Sequence, residues 1–174
     1  MAEPRGDQQP PETSTRVAFV GGTDGVWRID GILAQRGESL APAAHLAVIE
    51  GDEAEEATGR WVLKGSNATD GDGGHTPLGR PEARGASLIA VRMSPEWWAM
   101  PEDQRPSVFE EHPPPAAIAG RLHRCHDVTE PFDLLAWFEY VPDEQSSLDE
   151  LLGRLRETEQ WTFVEREVDI RVTR

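Results

Sequence analysis

The 174 residues include one cysteine, and only 17 Lys and Arg stand against 32 Asp and Glu. The single thiol, Cys125, excludes an internal disulfide framework and fits a reducing compartment. A net charge of -15 leaves no basic stripe for a phosphate backbone, which argues against nucleic acid as a partner. No run approaches the roughly 20 apolar residues of a membrane span. The N-terminal stretch MAEPRGDQQPPETST has no apolar segment of the kind a secretory signal needs. Its Pro, Gln and Glu read as a disordered leader over residues 1–14, ahead of a single domain at 15–174. The cytoplasm is the expected address.

What is present points to a packed fold. Hydrophobic residues make up 37%, with six Trp. Short β-rich runs occur at Arg16–Val20 and Val26–Ile29, separated by the turn-forming Gly21-Gly22-Thr23-Asp24-Gly25. AHLAVIEG (Ala44–Gly51), RWVLKGS (Arg60–Ser66), ASLIAVRM (Ala86–Met93) and PFDLLAWFEYV (Pro131–Val141) are further strand candidates. Ser94-Pro95-Glu96-Trp97-Trp98 has the signature of a helix start, with Ser94 as N-cap and Pro95 at the first helical position. Leu148, Leu151, Leu152 and Leu155 recur at helical spacing. At the end, Val168, Ile170 and Val172 alternate with Asp169, Arg171 and Thr173, which predicts a half-buried strand. Many strands and few helices predict an α+β fold, an antiparallel sheet with helices on one face.

Several chemical motifs are weak. The Gly21–Gly25 stretch lacks the strand–GxGxxG–helix context of a dinucleotide site and reads as a turn. The acidic run from Glu50 to Gly59 lacks the order of a calcium loop and reads as a solvated loop or helix edge. In LHRCHD, His123 and Cys125 share one face of a strand while His126 points away, short of the three or four convergent ligands a zinc or copper site needs. His75, in a glycine-rich loop, reads as solvated, and Cys125 as a buried, inert thiol.

WVLKGSN, LGRPEA, SLIAVRMSPEWWAM, RLHRCHDVTEPFDLLAWFEYVP and LDELLGRLRETEQWTFVEREVDIRVTR together resemble the chlorite dismutase family, in its short, dimeric bacterial branch. The resemblance runs over residues 16–174. It implies two ferredoxin-like halves closing into a dimeric α+β barrel with helices outside, one haem b per subunit, and a homodimer or larger homo-oligomer acting on a small molecule. Carried over residue by residue, it makes His112, in Phe109-Glu110-Glu111-His112, the proximal iron ligand. Trp97 and Trp98 become cavity wall, and Glu159 or, in the better alignment, Gln160 becomes the partner of the second imidazole nitrogen.

The chain also departs from the family. The distal arginine of chlorite-degrading members falls on Gly120, with Arg121 beside it. Only PPPAAIA separates His112 from Gly120, and its prolines stop a helix close to the histidine. The segment from Ser66 to Ala83 is shortened as well and lacks the family's aromatic and basic residues. A remodelled pocket follows, with chlorite chemistry weakened. Two readings stay open. One is a haem-binding, peroxidase- or chlorite dismutase-like oxidoreductase. The other is a haem-free barrel serving as a scaffold or as a cofactor-independent small-molecule enzyme.

Overall fold

The computed structural model describes residues 14–68, 78–104, 115, 117–125 and 132–174. The proposed leader (bar Ser14), His75, His112 and His126 lie outside the described residues. Eight antiparallel strands close into one barrel: β1 (Ser14–Gly22), β2 (Trp27–Arg36), β3 (His45–Glu50), β4 (Trp61–Ala68), β5 (Gly85–Met93), β6 (Ile118–Arg124), β7 (Leu134–Tyr140) and β8 (Val164–Thr173). Around the ring the order is β4-β1-β3-β2-β8-β5-β7-β6, and β6 returns to β4. The first four strands and the last four therefore share one internal order, the arrangement of a ferredoxin-like unit, and the barrel is two such units in tandem.

The two seams between the units differ. β2 pairs with β8 from Arg28↔Thr173 to Arg36↔Glu167, through two bulges. Among the described residues β4 meets β6 at Ser66↔Arg124 and Asn67↔His123.

Side-chain alternation sets two layers. Val17, Phe19, Trp27, Leu46, Leu88, Leu135, Trp137, Val168 and Ile170 point into the lumen. On the outside, α1 (Pro95–Ala99), α2 (Gln145–Arg156) and a 3-10 turn (Glu159–Phe163) cover only the C-terminal unit. Leu148, Leu151, Leu152 and Leu155 of α2 are buried there against Ile89, Ile118, Phe138 and Tyr140, as their spacing predicts. Over the N-terminal unit the acidic run forms a 3-10 turn (Gly51–Glu56) that buries only Ala54. Gly25, at φ 151°, lets the β1–β2 connection pass close to the Leu46 carbonyl, where a Cβ would lie 2.3 Å from the oxygen.

Two sequence expectations change. Ser94 occupies the N-cap position of α1 with extended backbone, but its side chain makes no cap hydrogen bond. Its amide instead donates to Phe163 O at 2.7 Å and ties α1 to the 3-10 turn. β8 has the predicted period, yet its charged face is not left to solvent: Glu167 and Asp169 are buried beneath α2. Arg156 on α2 donates to Glu167 Oε2 at 2.6 and 3.0 Å, and Arg171 grips Asp169 at 2.8 and 2.9 Å. Burial alone would lower the guanidinium pKa of Arg171, but Asp169 and Asp149 overcome that and raise it.

Candidate functional site

The outer layer of the C-terminal unit collects four of the residues singled out in the sequence. Pro95 at the first helical position starts α1, which is too short to expose both of its tryptophans. Trp97 is buried with its ring 5.7 Å from that of Phe163, and Trp98 is half-buried against the outer cluster. On β6, Ile118 and Leu122 belong to this outer cluster, so the alternation puts Gly120 between them on the same face, opposite Phe138 of β7. Gln160 is half-buried in the 3-10 turn, next to buried Trp161, whereas Glu159 is exposed.

That turn is held from both ends. Arg36 donates to the carbonyls of Trp161 and Val164 at 3.1 and 2.9 Å, and Trp161 Nε1 donates to Glu167 Oε1 at 3.0 Å. The Arg156–Glu167 pair thus helps to fix the segment that carries Gln160.

These residues suit the apolar faces of a flat macrocycle, with aromatic and aliphatic walls. They supply no axial nitrogen. Of the histidines, His45 and His123 are described, and neither belongs to the outer cluster. His75, His112 and His126 lie outside the described residues. Among the described residues no three His, Cys, Asp or Glu side chains converge in metal-binding geometry.

β6 has a second face. Arg121 and His123 line a cavity of about 250 Å³ inside the barrel, together with Phe19, Trp27, Trp137 and Glu139. His123 and Cys125 are both buried on this inner side, as the strand reading expects, and the His123 ring meets Phe19 edge-on at 5.4 Å. Burial first, and then the charge of Arg121, lowers the His123 pKa from its usual 6.5 to about 4. In the sequence, Arg121 stands out only as the neighbour of Gly120. Its position two residues before His123 was the signal that both face the lumen.

The chain is 38% identical to the dimeric chlorite dismutase of Nitrobacter winogradskyi, with a TM-score of 0.76 over 91% of this chain and 99% of that one. The chlorite dismutase of Candidatus Nitrospira defluvii in complex with imidazole shares the fold at 13% identity and a TM-score of 0.62, covering 95% of this chain and 92% of that one. An arginine-to-lysine mutant of the latter enzyme aligns at a TM-score of 0.60, again at 13% identity, over 94% and 92% of the two chains. No family model matches the chain, and no curated protein does.

Proposed function

The chain belongs to the chlorite dismutase family, and from that premise we propose that it is a haem-binding oxidoreductase whose pocket no longer favours conversion of chlorite to oxygen. The observation carrying this reading is the convergence of Trp97, Trp98, Gly120 and the turn bearing Gln160 on one outer layer of the C-terminal unit. Haem b, when bound, supplies an iron centre for reaction with peroxide or a related oxidant.

The rest falls to the chain's own residues. His112 would hold the iron through an imidazole nitrogen. Gln160 would accept a hydrogen bond from the other imidazole nitrogen, without a charge to make the ring more electron-donating. Trp97 and Trp98 wall the macrocycle and exclude water. Gly120 offers neither a positive charge nor a side-chain donor to an oxychlorine anion, so the anion is poorly retained. By likeness to the dimeric relative, we take the working state to be a homodimer.

Haem titration of the full chain tests the proposal. The expected result is a Soret band from a species sedimenting at twice the chain mass, lost in His112→Ala and kept in Gln160→Ala, with no oxygen release from chlorite. Protein that stays colourless with excess haem would favour the haem-free reading, and rapid oxygen evolution from chlorite would overturn the role assigned to Gly120.

A further inference from the structure

The lumen cavity is on the opposite side of the sheet from the outer cluster, and its polar wall is incomplete. Arg121 Nε and His123 Nδ1 are both buried and have no hydrogen-bond partner among the described residues. His123 is only 4% exposed. A buried polar group left unpaired costs about 1–3 kcal/mol, and two adjacent ones on the same face of one strand are uncommon in native proteins. Their chemistry is complementary: Arg121 brings a permanent positive charge and a fixed N–H, and His123, held neutral at pH 7 by burial and by Arg121, brings an imidazole nitrogen.

Of the other polar groups around the cavity, Glu139 and Arg174 are already engaged, and Glu50, which also lines it, is exposed to solvent. Glu139 accepts from Gly79 N at 2.7 Å and from Trp137 Nε1 at 2.8 Å, one bond to each carboxylate oxygen. Arg174 donates to the carbonyls of Arg80 and Ala83 and stacks 4.5 Å over the Trp27 ring. Phe19, Trp27 and Trp137 supply an aromatic wall, beside the aliphatic Val17, Val48 and Leu78. Phe19 lies 5.5 Å from Trp137, and Trp137 lies 5.3 Å from Trp27. Arg121 sits directly across the β6–β7 ladder from Trp137, so the cation and the aromatic wall belong to one surface.

We propose that the barrel lumen is a second binding site, distinct from the outer layer, for a small aromatic carboxylate about the size of benzoate. The carboxylate accepts from Arg121 Nε and pairs with its charge, while the ring lies among Phe19, Trp27 and Trp137. His123 Nδ1 bonds the second carboxylate oxygen or a ring hydroxyl, according to tautomer. The volume holds about eight waters, more than a small ion fills and less than the pockets that take drug-sized molecules. Water alone would satisfy the two nitrogens but leave three aromatic surfaces wet, and a ring removes that cost. The anchored charge of Glu139 on the same surface disfavours dianions and turns the anionic end of the ligand toward Arg121 and His123.

Calorimetric titration of the full-length, haem-free protein with benzoate tests the site, with fluorescence of the lumen tryptophans as a second readout. Saturable one-to-one binding is expected. Arg121→Gln should weaken it at least tenfold, and Arg121→Lys, which keeps the charge but not the planar N–H, should weaken it less. Phosphate should bind at least tenfold more weakly than benzoate. Circular dichroism and the melting temperature of each variant separate lost binding from lost fold. The proposal is overturned by absence of saturable binding at millimolar benzoate, by equal affinity in folded Arg121→Gln and Arg121→Lys variants, or by phosphate binding as tightly as benzoate. Loss of binding in Trp98→Ala but not in Arg121→Gln would assign the ligand to the outer layer and would also overturn it.

Discussion

At the scale of single residues, His123 ties the lumen to pH. Its folded pKa of about 4 lies below the ordinary 6.5, so between those values the unfolded chain takes up a proton that the folded chain refuses. The contribution of His123 is whole above pH 6.5. It declines as pH falls, reaching a loss of about 3 kcal/mol near pH 4. Urea midpoints at pH 7 and pH 4.5 should therefore diverge more for the natural chain than for His123→Phe, which keeps the ring packed on Phe19 and removes the titrating group. Equal divergence in the two proteins would place the acid sensitivity elsewhere. Gly21 makes a different residue-level demand. A Cβ there would sit 2.3 Å from carbons of the Trp61 ring, whose Nε1 donates to Ala41 O at 2.9 Å. Gly21→Ala has to displace the indole and break that bond.

At the scale of elements, the period of α2 and of most strands was legible in the sequence, because period is local. The four leucines of α2 and the Val168–Ile170–Val172 set fall in the cores where their spacing puts them. What lies over the other face of a strand is not local. Charged alternation on β8 reads as a solvent face, and only the tertiary arrival of α2, with Arg156, explains why Glu167 is buried. β2 was half visible: the reading ended at Ile29, yet the strand continues to Arg36 through bulges beside Gly31 and Gln35 that disturb simple alternation. In the candidate site, the helix start carrying the Trp pair followed from local signals, whereas Gly120 and Gln160 came only from the family resemblance. The lumen pair of Arg121 and His123 needed closure of the barrel to acquire an inside. Truncating Glu167 tests the buried network. Glu167→Ala leaves Arg156 without its shortest partner and Trp161 Nε1 without its acceptor, and should cost about 3 kcal/mol by chemical denaturation. A loss below about 1 kcal/mol would mean that Asp169, 3.7 Å from Arg156, takes over the pairing.

At the scale of the whole molecule, the described residues cover the outer face of one unit with helices and that of the other with a single 3-10 turn. The lopsided cover explains why the sequence read as strands with few helices, and why the internal duplication was hidden from it: two units with one strand order have connections of unlike length and composition. The two seams divide labour in a similar way. Amide exchange followed by mass spectrometry should find protons donated across β4–β6 replaced well before those across β2–β8, and the reverse order would contradict the register. Among the described residues the hoop has one long weld and one short clasp, and His123 is one of the residues that fasten the clasp. Strain on the ring is therefore expected to be felt first beside the interior wall that carries Arg121 and His123, with the long weld on the far side left intact.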